Sequence, residues 1–152
     1  MDKHYLTPLF SPESIIVFAG QADDPSLQTT QAKALLIALR AQRYSGTLTF
    51  LDIHTSGTLA DLAQARADLA IIALAPENVA AALEVAGRMA CRAALVISSG
   101  IDADKATELK KIAHREGVHL LGPNCLGLQR PHLQLNASAA GPLARTGSLA
   151  LV

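Results

Sequence analysis

Six consecutive residues, Gly122-Pro123-Asn124-Cys125-Leu126-Gly127, combine two glycines, a proline, an asparagine and one of the chain's two cysteines directly after the apolar pair Leu120-Leu121. One or two turn residues suffice to reverse a chain, so this density marks either an elaborate loop or a loop that binds something. Cys125 as a nucleophile would need a neighbouring base and a lowered pKa. No histidine is visibly paired with it, and a small buried residue beside a ligand is the favoured reading. Cys91 lies on a helical pattern and reads as packing. The remaining candidates for chemistry are His4, His54, His114, His119 and His132, with Asp52 at the end of an apolar run. An acidic residue there can hold a ribose hydroxyl in an NAD-binding fold. The full G-x-G-x-x-G is absent, because Gly20 stands alone in its loop, which makes NAD the less favoured ligand. Asp52 as a turn cap and His54 as a solvated loop residue are the plainer alternatives.

These groups need elements to position them. Short apolar runs at Ile15–Ala19, Leu48–Asp52, Leu69–Ala75, Ala93–Ser99 and Val118–Leu121 predict strands. The third and fourth are almost continuously apolar, as strands buried on both faces are. Between them Ala32, Leu35, Leu36 and Leu39 recur at helical spacing, as do Val79, Ala82, Leu83, Ala86 and Ala90, and again Ala106, Leu109, Ile112 and Ala113. Leu59, Leu62 and Ala63 mark a shorter helix with Thr58 as its N-cap. Asp104 is expected to cap the last helix and Gly117 to end it. Strands alternating with helices predict an α/β fold: a Rossmann-like, doubly wound parallel sheet of about five strands with helices on both faces. Ligands of such sheets sit at the carboxyl ends of the strands. Every loop there is small or polar: Gly20 to Ser26, Asp52 to Gly57, Ala75 to Asn78, Ser98 to Ile101, and the Gly122 run.

Composition excludes several classes. The chain has 152 residues, half of them apolar, enough for one ordinary domain with a core. Thirteen basic residues balance thirteen acidic ones, with three Phe, two Tyr and no Trp. No basic or aromatic face for nucleic acid is expected, and no apolar run reaches the roughly 18–20 residues of a membrane span. The first ten residues have no long apolar stretch of the signal-peptide kind, and two cysteines make neither a disulfide framework nor a metal cluster. A cytoplasmic protein is the expectation. Residues 1–130 are expected to form the Rossmann-like domain and 131–152 a tail leading toward a second domain, ending on the apolar strand-like Ser148-Leu149-Ala150-Leu151-Val152.

The order LFSPESIIVFAG, IIALAP, VISSGI, HLLGPNCLGLQRP, LNAS and TGSLALV resembles the N-terminal CoA-binding domain of the NDP-forming acyl-CoA synthetase superfamily. That superfamily includes the succinyl-CoA synthetase alpha subunit, the ADP-forming acetyl-CoA synthetases and the synthetase-like region of protein lysine acetyltransferases. The resemblance runs from about Leu9 to Val152. It implies CoA or acyl-CoA lying across the strand ends, with phosphates near Ala19, Gly20, Gln21 and Ala22, further contacts from His54, from Ala75 and Pro76, and from Ile97, Ser98 and Ser99. The pantetheine arm runs toward Gly122, Pro123, Asn124 and Cys125. On that reading Gly lets the backbone come close, Pro fixes the turn, and Asn offers a donor and an acceptor to an amide-rich arm. The resemblance also implies partners: the second ligase domain and an ATP-grasp domain of a synthetase, which would carry ATP or ADP and a phosphohistidine. None of the five histidines here sits in the phosphohistidine context, so a CoA-binding part without catalysis of its own is expected; homo-oligomerisation stays open.

Two departures from the family pattern bear on phosphate. The loop after the first strand carries Asp23 and Asp24 where the family has Gly, Ser and Lys, and two carboxylates repel a phosphate. His54 stands where the family has a lysine, replacing a fixed cation by one largely neutral at pH 7. The alternative reading is therefore an acyl-CoA-sensing or vestigial synthetase-like module of a protein lysine acetyltransferase.

Overall fold

The computed structural model describes residues 4–20, 28–53 and 66–148. Five strands form one parallel sheet: β1 (Ser14–Phe18), β2 (Thr47–Leu51), β3 (Leu69–Ile72), β4 (Ala93–Val96) and β5 (His119–Leu121), in the order β2-β1-β3-β4-β5. All neighbouring strands in it run parallel. Each apolar run therefore contains a strand; in the first four the sheet ladder ends one to three residues before the run does, and β5 ends with its run at Leu121. The excess residues, such as Ala73 to Ala75 and Ile97 to Ser99, leave the sheet to build its carboxyl-end loops.

Alternation along the three central strands sends side chains to two cores. Ile16, Phe18, Ala70, Ile72, Ala94 and Val96 face one side, and Ile15, Val17, Leu69, Ile71, Ala93 and Leu95 the other. Both sides are covered, which is why β3 and β4 read as unbroken apolar runs. On the first side lie α3 (Val79–Arg88) and α4 (Ala103–Glu116), the helices following β3 and β4. They pack closely at Gly87, where a Cβ would overlap the Glu116 side chain. The N-cap of α4 is Asp102, which accepts a hydrogen bond from the Lys105 N–H at 2.8 Å, rather than Asp104. Asp102 is extended and so begins the helix earlier, leaving Asp104 in the first turn, where its charge suits the helix dipole. Gly117 ends the helix in the left-handed conformation at φ 69, as expected.

On the second side lie α1 (Thr7–Phe10), α2 (Thr30–Arg40) and an antiparallel ribbon of β6 (Gly127–Arg130) and β7 (Leu135–Ser138). Leu135 and Ala137 are fully buried in that core. The ribbon straddles residue 130, where the sequence suggested a domain boundary, because LNAS alternates Leu135 and Ala137 inward while Asn136 and Ser138 hydrogen-bond to each other at 2.7 Å. The expected helix at Leu59 to Ala63 with its Thr58 cap, and all but Ser148 of the terminal apolar run, lie outside the described residues. No helix among the described residues is long and apolar enough to cross a membrane.

Candidate functional site

The chain leaves β1 for β2 on one side and returns to β3 on the other, so the connections reverse direction between β1 and β3. Loops diverge at such a point and open a crevice at the carboxyl ends. Its floor is a relay of hydrogen bonds from strand to strand. The Ala73 N–H donates to the Phe18 carbonyl at 2.8 Å, the Ile97 N–H to Ile72 at 2.9 Å, and the Asn124 N–H to Ser98 at 3.1 Å. Ala19 is buried beside this relay, and Gly20 turns away at φ 79, a conformation that costs a side-chain-bearing residue about 1 kcal/mol or more.

Ser98 is 1% exposed, and its Oγ accepts from the Leu74 N–H at 2.9 Å. Its hydroxyl thus ties the loop after β3 to the loop after β4. Ala75 leads into a 3-10 turn at Pro76–Asn78 and directly into α3, while Gly100, at φ 76, faces Pro76. Ser99 is exposed, and its Oγ meets the Gln31 Nε2 at 2.6 Å. Gln31 stands in the first turn of α2, whose N-cap Thr29 accepts from the Ala32 N–H at 3.0 Å. The amino end of an eleven-residue helix, with its partial positive charge, therefore lies beside the loop after β4.

The Gly122 to Cys125 turn is clasped onto the end of β4. Gly122, at φ 95, passes so close to the Val96 carbonyl that a Cβ would overlap it. The Cys125 thiol donates to the same carbonyl at 3.3 Å. Asn124 adopts φ 58 and donates through Nδ2 to the Ile101 carbonyl at 3.1 Å. Gly122-Pro123 is a cis peptide. The unusual composition of this turn is thus what close docking on β4 requires: no Cβ at 122, a left-handed residue at 124 and a small donor at 125. Asn124 remains exposed, and its Oδ1 has no hydrogen-bond partner among the described residues. Burial pushes the Cys125 thiol above its ordinary value, with backbone N–H groups of Gly127 and Cys125 opposing the shift. A thiol so placed stays protonated near neutral pH and is a poor nucleophile.

Of the residues expected at the site, Ala19, Gly20, Ala75, Pro76, Ile97, Ser98, Ser99, Gly122, Pro123, Asn124 and Cys125 lie at the carboxyl ends of β1, β3, β4 and β5. Within that set Ile97 and Ser98 are buried supports, while Ser99 and Asn124 are exposed. Gln21, Ala22 and His54, like Asp23 and Asp24, lie outside the described residues. Sequence reasoning missed Gln31 as a partner of Ser99, and the carbonyls of Val96 and Ile101 as anchors of the turn. Gln31 read only as a polar position between apolar ones, and carbonyl anchors leave no mark in side-chain pattern. The described histidines stand elsewhere: His4 precedes α1, His119 opens β5, His114 is in the last turn of α4, and His132 lies between β6 and β7.

A family model described as a CoA binding domain matches residues 42–131. The acetate–CoA ligase [ADP-forming] of Methanocaldococcus jannaschii is 30% identical over 89 residues, which are 56% of this chain and 13% of that protein. The acetate–CoA ligase [ADP-forming] I of Archaeoglobus fulgidus is 36% identical over 91 residues, again 56% of this chain and 13% of the relative. Among solved structures, the Ca. Korarchaeum cryptofilum dinucleotide forming acetyl-coenzyme A synthetase 1, in complex with phosphate and ADP, superposes with a TM-score of 0.74 at 25% identity, over 90% of this chain and 31% of that one. A Pyrococcus horikoshii OT3 protein shares the fold at a TM-score of 0.74 and 23% identity, over 93% of this chain and 34% of that chain. The chain thus spans a small part of each relative. Residues 42–131 are more than half of its length and carry β2 to β5 and the clasped turn, so the chain belongs to the CoA binding domain family.

Proposed function

We propose that this chain binds CoA or an acyl-CoA across the carboxyl ends of β1, β3, β4 and β5, as the CoA-binding part of an NDP-forming acid–CoA ligase. The observation that carries this reading is the hydrogen-bonded rim from Ala73 to Asn124, which lies within the segment matched to the CoA binding domain family. The residues suit the ligand's parts. Backbone at Gly20 and the amino end of α2 favour phosphate oxygens. The exposed Asn124 amide suits the amides of a pantetheine arm. CoA would supply a thiol to carry an acyl group; this chain's part is to hold and orient it. The protonated, β4-bound Cys125 and the placement of the described histidines away from the crevice support binding rather than catalysis. Acyl transfer, the nucleotide and a phosphohistidine would belong to further domains of a synthetase, as would any assembly into oligomers.

The acidic pair Asp23-Asp24 in the loop after β1 favours a second reading, an acyl-CoA-sensing module of a lysine acetyltransferase, in which weak and reversible binding suffices. Isothermal titration of the folded chain with CoA, acetyl-CoA and NAD at low salt tests the proposal. Saturable heat with CoA or acetyl-CoA, and none with NAD, is expected. Silence with both CoA and acetyl-CoA, or saturation by NAD alone, overturns it.

A further inference from the structure

A cavity of about 220 Å3 lies at the opposite end of the sheet from the crevice. It sits at the amino ends of β1, β3 and β4, with α1 along one wall, and Tyr5, Thr7, Ser11, Asp68 and Arg92 are among its lining residues. Asp68 and Arg92 hold equivalent places, each one residue ahead of its strand, on strands paired Leu69 to Ala93. Adjacent strands run roughly 4.8 Å apart, close enough for two such side chains to form an ion pair. They form none: among the described residues the ion pairs of arginine are those of Arg115. Asp68 turns its carboxylate toward the start of β1. There Oδ2 accepts from the Glu13 N–H at 2.7 Å, the Ser14 N–H at 3.1 Å and the Ser14 hydroxyl at 3.4 Å. Oδ1 has no hydrogen-bond partner among the described residues. Arg92 is exposed and lines the same cavity. The Tyr5 ring, 59% exposed, rests 5.2 Å from the His119 ring and forms an apolar wall.

Opposite charges that share a cavity without touching disfavour a ligand of either single sign, because an anion meets Asp68 and a cation meets Arg92. A small molecule carrying both charges a few ångströms apart meets both favourably. We propose that this cavity is a binding site for an α-amino acid, with its carboxylate on the Arg92 guanidinium, its ammonium on Asp68 Oδ1 and its side chain against Tyr5. A planar guanidinium takes a carboxylate through two parallel hydrogen bonds, and the hydroxyls of Thr7 and Ser11 offer further acceptors for the ammonium. The volume is below the roughly 300–1,000 Å3 of drug-sized pockets and suits a ligand of amino-acid size. The site is independent of the CoA reading, since the strands between the two ends hold β3 at about 13 Å long.

The test is ligand-observed saturation-transfer NMR with each of the common α-amino acids, followed by the N-acetyl and carboxamide derivatives of the tightest. At least one amino acid is expected to saturate with a Kd of about 5 mM or tighter. Blocking either charge, or making Arg92→Gln, is expected to weaken it at least about tenfold, the loss of one charged hydrogen-bonded contact. Arg92 is exposed, so its replacement leaves the fold and the CoA titration unchanged. Absence of saturation by every amino acid up to about 10 mM, or a loss below about tenfold for a blocked ligand or for Arg92→Gln, overturns the proposal.

Discussion

Asn124 tests the clasped turn and the ligand separately, because two substitutions remove different things. Asn124→Gly deletes the Nδ2 bond to the Ile101 carbonyl and the exposed Oδ1, while its backbone keeps φ 58 without strain. Asn124→Ala deletes the same groups but keeps a β-carbon in the left-handed region, which costs about 1–2 kcal/mol relative to glycine and which asparagine tolerates better than alanine. The lost hydrogen bond, at a partly buried position, is worth about 0.5–1.5 kcal/mol. The alanine variant should therefore lose about 1–2 kcal/mol, the hydrogen bond together with asparagine's greater tolerance of that conformation. The glycine variant should lose less, about 0–1 kcal/mol, because relief of the β-carbon strain offsets glycine's greater unfolded-state freedom. For a chain of this size each kcal/mol lowers Tm by about 2–4 °C, so thermal and urea unfolding resolve the two. Titration with CoA then reads the ligand contact. If Oδ1 meets the pantetheine arm, both variants lose about tenfold in affinity irrespective of their stability difference. Equal stability of alanine and glycine variants would refute the strained-turn account. Unchanged CoA affinity in both would remove the Asn124 side chain from the binding site.

Three more outcomes follow from the geometry. Ser98→Ala leaves the buried Leu74 N–H without its acceptor and should cost about 1–3 kcal/mol in urea unfolding while loosening the loop after β3, so CoA affinity should fall as well. The Cys125 thiol, held protonated by burial, should react with iodoacetamide at least about tenfold more slowly than a free cysteine at neutral pH, read by mass spectrometry; a fast reaction would contradict the assigned environment. Stability should fall on the alkaline side. Burial first, then Asp68 and then Glu13, push Tyr44 up to about 12, and burial and then Asp68 push Cys91 up to about 12. Both folded values lie above the ordinary 10.0 and 9.0, so the unfolded chain releases its protons first. The stability these groups contribute is complete below about pH 9 and is lost as pH rises toward about 12. Tyr44→Phe should flatten part of that slope in urea titrations, although it also removes the hydroxyl bond to the Pro12 carbonyl.

Much of the fold was legible because its signals are local. Leu69 to Ala75 and Ala93 to Ser99 read as strands buried on both sides, and Ala32, Leu35, Leu36 and Leu39 face one core at helical spacing. Less legible was where the ladder stops, since Ala73 and Ile97 are as apolar as the strand residues before them. The role of LNAS was also hidden. A four-residue segment with two polar positions resembles a tail until α2 provides a face for Leu135 and Ala137.

The sequence alone determined the class of this protein. Alternating strand and helix patterns predict a doubly wound sheet, that sheet places its loops at one end, and residues 42–131, which carry all of those loops but the first, match the CoA binding domain family. Only the tertiary structure decided what each loop residue does. Side-chain type states that Asn124 can donate and accept, that Ser98 has a hydroxyl and that Gly122 lacks a Cβ. Which partner each one meets depends on strands far apart in sequence: Ile101 for Asn124, Leu74 for Ser98 and Val96 for Gly122. The same holds for Asp68 and Arg92, whose charges share a cavity only because β3 and β4 lie side by side in register. Hydrogen bonds and charge pairs act over a few ångströms, and folding alone sets which groups fall within that range.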